Sequence, residues 1–283
     1  MSKYLVTGAT GNVGSLVAER LIARGERPGL FVRDVEKARA RFGAAVEVFA
    51  GDLEDAGTLS AALEGFDALF LVNSGPELAE RDEAAARVAR AVGVRRLVKL
   101  SSLDARQCVG TGVWHARGEA AIRASGIGFA FVQPTGFMSN ALYWARSIKA
   151  CGALRSATGE GRIPFVHPAD IAEVAVRALT EPEYEGASLG ITGPEALSYR
   201  EMAGKIAAAI GRTVAFEAIS EEEERRQQVA WGATAPLIEA RLGIFRAIRE
   251  GRMAAVTDTV ERVTGREPIT FDEWARGNAA AFC

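Results

Sequence analysis

Histidine and cysteine are scarce in this sequence. Two histidines, His115 and His167, and three cysteines, Cys108, Cys151 and Cys283, lie scattered through 283 residues with no CxxC pair and no Cys/His cluster. That scarcity excludes the common structural zinc frameworks and a disulfide-stapled fold, and no metal is expected. An excess of positive charge is also lacking. The 34 Lys and Arg against 36 Asp and Glu leave a formal net charge of −2, so no nucleic-acid surface rests on bulk charge. No apolar run reaches the ~18 residues of a membrane span, and the first is shorter than the about 7–15 residues of a signal peptide. The cytoplasm is the expected compartment. The sequence contains neither the Gly-x-Ser-x-Gly elbow of many hydrolases nor a Gly-Lys-Ser/Thr phosphate loop, and it has no internal repeat.

What is present is an alternation. With 48% hydrophobic and 25% charged residues, the chain has the material for a sizeable core. Short apolar or β-branched runs predict strands at residues 4–7, 30–32, 46–49, 68–72, 97–101 and 129–132. Between them, apolar residues at helical spacing predict helices near 13–21, 36–42, 59–63, 84–92 and 119–124. This order predicts an α/β fold, a Rossmann-type doubly wound parallel sheet with helices on both faces. Right-handed crossovers then gather the strand carboxyl ends along one edge, where ligands bind. After Pro134 the pattern shifts. Helices are expected at 141–150 and at 168–179, the second with Asp170 at its start as a cap, and a strand at 213–218. Ser198, Ser220 and Thr270 each open a capping box, and the charged run 221–226 reads as a solvated helix face. Two units are expected: a core over residues 1–150 and a smaller α/β lobe over 151–283, packed on the core with some segments returning to it.

The most informative stretch is Thr7-Gly8-Ala9-Thr10-Gly11-Asn12-Val13-Gly14, a GxxGxxG pattern that follows the first predicted strand and opens the first helix. Gly8 permits a tight turn. Gly11, with Thr10, Asn12 and Val13 around it, lets backbone approach a pyrophosphate. Gly14 allows helix to pack closely on strand, and the helix N-terminus faces the negative charge. Arg33 ends the second strand, about 20 residues on, where an acidic residue favours NAD and an arginine accommodates the 2′-phosphate of NADP. A guanidinium matches a phosphate bidentately, and Lys37 adds charge one helical turn later. Asp34 is the competing group, a carboxylate able to take a ribose hydroxyl. NADP(H) is the expected cofactor, with NAD(H) less favoured.

At these residues the chain resembles the NmrA-like branch of the atypical short-chain dehydrogenases/reductases. The resemblance spans nearly the whole chain. It runs through residues 8–14, Val32-Arg33-Asp34, Gly51-Asp52-Leu53, Leu71-Val72, Leu100-Ser101-Ser102 and Ser125-Gly126-Ile127. Its more specific parts are Pro134-Thr135-Gly136-Phe137-Met138-Ser139-Asn140 and Val166-His167-Pro168-Ala169-Asp170-Ile171-Ala172. Within the branch the chain is similar to triphenylmethane and quinone reductases and to ergot-alkaloid-type reductases. The resemblance implies that Asp52 and Leu53 lie near the adenine, that Val72, Asn73 and Ser74 cross the cofactor, and that Pro134 and Phe137 back the nicotinamide. Helix capping by Asp52 and core packing by Phe137 and Met138 are the plainer roles open to the same residues.

Ordinary short-chain dehydrogenases protonate a carbonyl with a Tyr whose pKa is lowered by a Lys four residues later. Tyr4, Tyr143, Tyr184 and Tyr199 all lack that lysine. In its place stands Trp114-His115-Ala116-Arg117-Gly118-Glu119, and in the similar reductases a His occupies this position. His115 is the candidate proton donor, facing the nicotinamide ribose or the substrate with a pKa within reach of neutrality. A helix-start His bonded to backbone is its alternative. Ser101, beside Ser102 at the end of the fifth strand, either orients a substrate oxygen or caps the following turn. Trp114, Met138, Tyr143, Trp144 and His167 are candidate pocket residues. An acceptor that is already electrophilic needs little general acid; quinones, iminium ions, conjugated C=C bonds and cationic dyes qualify. The expected function is therefore an NADPH-dependent reductase acting on a small-molecule electron acceptor. The competing class is a non-catalytic, NADP-binding redox sensor that acts through a protein partner. An open aromatic-lined cavity beside the nicotinamide favours the reductase, and a filled site the sensor. Sugar-nucleotide epimerisation is less favoured, because such relatives use the missing Tyr–Lys pair. A homodimer is compatible with the sequence.

Overall fold

The computed structural model describes residues 2–283. Its first half runs β1 (Tyr4–Thr7), α1 (Gly14–Ala23), β2 (Gly29–Val32), α2 (Val35–Phe42), β3 (Glu47–Ala50), α3 (Ala56–Leu63), β4 (Ala68–Leu71), α4 (Leu78–Ala91), β5 (Arg96–Leu100), α5 (Gly112–Ser125) and β6 (Gly128–Pro134). The chain continues with α6 (Ala145–Cys151), β7 (Ala153–Ser156), β8 (Arg162–Ile163), α7 (Pro168–Thr180) and β9 (Ser188–Ile191). The central sheet has the order β3-β2-β1-β4-β5-β6-β9, and every neighbouring pair is parallel. All four residues of β1, β2 and β4 are buried. Helices cover both faces of such strands, so their sequences are continuously apolar rather than alternating. Each Leu, Val or Phe buried this way contributes ~1.5–3 kcal/mol. The strand order reverses between β1 and β4, which opens a crevice at the carboxyl edge.

Side chains fix several helix starts. Asp34 Oδ1 accepts the Lys37 N–H (2.9 Å), and Asp55 Oδ1 accepts those of Gly57 (2.9 Å) and Thr58 (3.2 Å), each cap being worth about 1 kcal/mol. The expected capping boxes at Ser198 and Thr270 are both reciprocal. At Ser220 only half a box forms: its Oγ accepts the Glu223 N–H, but the Glu223 carboxylate turns away to Arg155. Asp170 is not the cap of α7. His167 fills that role, its Nδ1 accepting the Ala169 N–H at 2.9 Å. Asp170 is fully buried, accepts the Ile269 N–H (2.8 Å) and pairs with Arg266 (2.8 Å), so it ties the C-terminal segment to α7. The helix expected at 141–150 starts as a 3-10 turn, Met138–Trp144, before α6.

The rest of the chain is β10 (Leu197–Ser198), α8 (Tyr199–Ile210), β11 (Ala215–Ala218), α9 (Glu221–Ala230), α10 (Ala235–Arg249), α11 (Thr259–Thr264) and α12 (Phe271–Gly277). Here β8 pairs antiparallel with β10 and β7 parallel with β11. A separate apolar cluster fills this lobe, with Met138, Leu154, Ile206, Phe216 and Trp274 among its members. Helices α7 and α11 lie instead on the sheet, where Ile171, Val174, Val260 and Val263 join the cluster around β1 and β6. Glu173 of α7 binds Arg20 (3.0 Å) of α1 and Arg24 (2.9 Å), the residue that follows that helix. Lobe residues such as Arg155, Tyr199 and Phe245 line one cavity with Ser101 and Pro134, so the lobe stands over the carboxyl edge of β5 and β6. Among the described residues no helix is long and apolar enough to cross a membrane.

Candidate active site

The loops after β1 to β6 leave the sheet at this one edge, and they carry most of the residues singled out from sequence. Gly8 turns the chain at φ +62°, and its carbonyl accepts the Gly11 N–H at 2.9 Å. A Cβ at Gly8 would lie 2.9 Å from Val72 Cβ, and one at Gly14 would overlap the Gly8 carbonyl. The turn therefore exists only for glycine. The first turn of α1 holds no acidic residue and no side-chain cap, and Gly11 and Asn12 are exposed, so free amides face the crevice. These features fit a dinucleotide's diphosphate. Thr10 is half-buried in the same turn, whereas Val13 is buried and offers a ligand only its backbone. Asn12 donates to Ser139 Oγ (3.3 Å), linking the glycine turn to the segment after β6.

Arg33 stands at the end of β2 with 84% of its side chain exposed, 3.8 Å from Asp52. Lys37 is exposed one turn along. One oxygen of Asp34, the competing ribose ligand, is engaged in capping α2. Leu53 packs against the apolar cluster between sheet and helices. Ser74 is exposed, but the Asn73 side chain turns inward and donates to Leu78 O (3.1 Å) and Asp82 Oδ1 (3.3 Å).

Beside β5 and β6 the edge opens into a cavity of about 610 Å³. Ser101, Ser102, Asp104, Thr111 and His115 form its floor; Pro134, Phe137, Tyr143 and Trp144 line one side; Tyr199, Trp231 and Phe245 close it from the lobe. Trp144 packs on Tyr199 and Phe165, with ring centroids 4.8 and 6.2 Å apart. Three expected pocket residues lie elsewhere. Trp114 does not line the cavity, because His115, Gly118, Glu119 and Ile122 form the face of α5 turned to the sheet and Trp114 points to one side of it. Met138 is fully buried in the lobe core, where its N–H meets Val166 O at 2.9 Å. His167 is held as the α7 cap.

A buried polar column runs beneath the floor. Lys99 and Ser101, two residues apart, share the face of the β5 segment turned to α4 and α5. Lys99 Nζ lies 2.5 Å from Asp82 Oδ2, both without exposed side-chain surface. Burial pulls the Lys99 pKa down and pushes that of Asp82 up, each against the partner's charge. Helix α5 approaches so closely only because residue 118 is glycine; any Cβ there would overlap the Asp82 carboxylate. Ser101 Oγ donates to Glu119 Oε1 (2.5 Å), which also accepts from Gln133 Nε2 (2.7 Å). A hydroxyl has one proton, so Ser101 offers the cavity an acceptor rather than a donor. Burial first, then the charge of Lys99, pushes the His115 pKa down to about 3. His115 is neutral at pH 7, with Nδ1 buried and unpartnered. The expectation of a histidine titrating near neutrality is therefore corrected.

Sequence reasoning missed Asp104 and most of the far wall. Glu224, Gln228 and Trp231 recur along one face of α9 and its end, a stripe that helical spacing could have revealed. Glu224, placed on a solvated face by its neighbours' charge, is 3% exposed. Asp104, a lone acid in a turn, carries no periodic signal.

The open helix terminus, the glycine turn and the adjoining aromatic cavity define a dinucleotide-binding Rossmann protein. The chain belongs to the NAD(P)H-binding family, whose model matches residues 8–182. It is 37% identical over 282 residues to the NAD(P)H azoreductase of Xenophilus azovorans, covering 98% of both chains. It is 38% identical over 281 residues to the (4-alkanoyl-5-oxo-2,5-dihydrofuran-3-yl)methyl phosphate reductase of Streptomyces griseus, again covering 98% of both. Among solved structures it is similar to the NADPH-dependent quinone oxidoreductase of Escherichia coli complexed with NADPH: TM-score 0.88, 24% identity, 97% of this chain and 99% of that one. The class is set as an NAD(P)H-dependent oxidoreductase with the expected NmrA-like Rossmann architecture.

Proposed function

We propose that this protein is an NADPH-dependent reductase of planar, electron-poor acceptors: quinones, azo compounds, conjugated C=C bonds, iminium ions and cationic dyes. The observation that carries the reading is the open, aromatic-lined cavity on the same sheet edge as the glycine turn. Bound NADPH supplies a hydride from nicotinamide C4. The protein's own residues bind, orient and exclude water. Backbone at Gly8, Gly11 and Gly14 holds the diphosphate, Arg33 with Lys37 takes the 2′-phosphate, and Asp52 borders the adenosine. Pro134 and Phe137 back the nicotinamide. Ser101, its proton committed to Glu119, would accept from a ribose hydroxyl, and neutral His115 lines the same cavity floor. Tyr143 and Trp231, 66% and 49% exposed at the cavity mouth, offer faces on which a flat acceptor stacks. The missing Tyr–Lys pair fits this class, because such acceptors are electrophilic enough to take a hydride without a lysine-activated tyrosine, and cationic dyes and iminium ions need no proton at all. The relatives named for azo and oxo-dihydrofuran reduction support it. The cavity is the arrangement that favours a reductase over a filled, sensing site.

The test follows the loss of NADPH absorbance with a panel of one quinone, one azo dye, one cationic triphenylmethane dye and one conjugated enone. Acceptor-dependent oxidation is expected, with NADPH preferred over NADH. A protein that binds NADPH yet oxidises it with no member of the panel overturns the reading.

A further inference from the structure

We propose that Asp104 is the acid that protonates the reduced acceptor. This rests on the reductase reading and supplies the proton source it leaves open. Hydride addition to a quinone leaves an oxyanion, and addition to an azo bond leaves a nitrogen anion. Each needs one proton at the site.

The cavity floor offers few donors. The Ser101 proton is committed to Glu119 at 2.5 Å. His115 is neutral and does not lend a proton as imidazolium at pH 7. The Tyr199 phenol is buried and pushed up, which makes it a weaker acid. Glu224 lies across the cavity on α9, where its two oxygens accept from Gln228 Nε2 and the Ala157 N–H, both at 3.3 Å. Asp104 is the remaining floor carboxyl. It sits in the 3-10 turn Leu103–Gln107 directly after β5, beside Ser102, and lines the same cavity as Thr111 and His115; its backbone packs against Gly112 at the start of α5. It is 8% exposed. Among the described residues no cation lies within ion-pair distance of it. Arg106 donates to Gln133, Arg155 pairs with Glu217 and Glu223, and Arg241 faces the cavity from α10. Burial alone, eased only by the Ser102 hydroxyl, pushes Asp104 up to about 6. A carboxyl of this kind holds a proton near the working pH and gives it up to a stronger base.

The balance is simple. The acceptor gains a hydride from NADPH, the Asp104 O–H bond breaks, and its proton goes to the acceptor's oxygen or nitrogen. The cofactor leaves oxidised, and water reprotonates the carboxylate through the cavity mouth. A cationic triphenylmethane dye or an iminium ion becomes neutral on hydride addition alone and draws no proton from Asp104. The structure therefore predicts a split between acceptor classes.

The experiment compares Asp104→Asn and Asp104→Glu with the parent protein, using NADPH with an azo dye and with a cationic triphenylmethane dye. General-acid loss typically costs ~100-fold or more. Asp104→Asn is expected to lose about that much kcat with the azo dye and no more than about 3-fold with the cationic dye. NADPH affinity by calorimetry should be unchanged. Parent kcat with the azo dye should fall as pH rises above about 6, while the variant's is flat. Asp104→Glu should recover part of the loss. A readout free of turnover is the infrared difference between parent and Asp104→Asn without cofactor: a protonated-carboxyl band titrating near 6 is expected. Equal loss with both dyes, or retained azo turnover, overturns the proposal and leaves the reductase reading standing. Absence of turnover with every acceptor in the parent sinks the reductase reading, and the proposal with it. Absence of the infrared band overturns the assignment by itself.

Discussion

The two ends of the sheet's carboxyl edge are built by opposite means. At the β1–β2 end the recognition surface is local. Gly8, Gly11 and Gly14 fall within one turn, and Arg33 follows the next strand, 84% exposed. At the β5–β6 end the cavity is gathered from segments as distant as Ser101 and Phe245, and Ser101, Asp104, Glu224 and Gln228 within it are buried. The first end works through backbone shape and solvated charge. The second works through burial, which decides the protonation state of every titratable group in its floor. An identical side chain would thus behave differently at the two ends, and substitutions should report that difference.

The largest effect belongs to the glycine end. Gly8→Val forces a β-branched residue to positive φ against Val72. Left-handed strain and overpacking together should cost about 2–5 kcal/mol of stability and abolish NADPH binding. Chemical denaturation and calorimetry check both. Retained binding would break the contrast.

Next comes Asp104, where burial rules. Its folded pKa of about 6 lies above the ordinary 3.8. Below 3.8 both folded and unfolded forms are protonated, so the group contributes nothing there. As pH rises from about 4 through 6, the unfolded chain ionises first and the fold loses stability. His115 runs the other way, since its depressed pKa costs stability as pH falls from 6.5 towards 3. Comparing Asp104→Asn with the parent at each pH cancels the histidine. The variant should be more stable at pH 7 by up to about 3 kcal/mol, and equal to the parent below about pH 4. A constant difference across that range would contradict the burial argument.

Arg33→Ala should weaken NADPH by ~10–100-fold, the worth of charge-assisted hydrogen bonds to a phosphate, and NADH by less than about 3-fold. Equal losses in calorimetry would remove the 2′-phosphate assignment. The smallest effect is expected at the cavity mouth. Trp231 is half-exposed, so Trp231→Ala should raise the KM for an aromatic acceptor ~3–10-fold, leave kcat within about 2-fold and change stability by under about 1 kcal/mol. A selective loss of kcat would place Trp231 nearer the chemistry than its position at the mouth implies.

The same contrast explains what the sequence disclosed. Strand–helix alternation predicts the Rossmann sheet because each buried parallel strand is a short apolar run, as in residues 68–71. The glycine turn is legible because its geometry needs consecutive residues. Pocket membership is a tertiary property. Trp114 and His115 are neighbours in sequence, yet only His115 lies on the face of α5 that meets the cavity. The state of His115 depends first on its burial and then on Lys99 of another element, and Asp170 finds its partners in Ile269 and Arg266, about a hundred residues away. Glu224 was legible only as one member of a helical stripe, which the surrounding charge concealed.

The central claim is that this protein moves a hydride from NADPH to an electron-poor acceptor in the aromatic cavity. The most direct measurement uses NADPH deuterated at both C4 positions, a cationic triphenylmethane dye, and mass spectrometry of the colourless product. One deuterium on the dye's central carbon is predicted. A reduced dye without deuterium, or intact dye after prolonged incubation with protein and NADPH, would contradict the account.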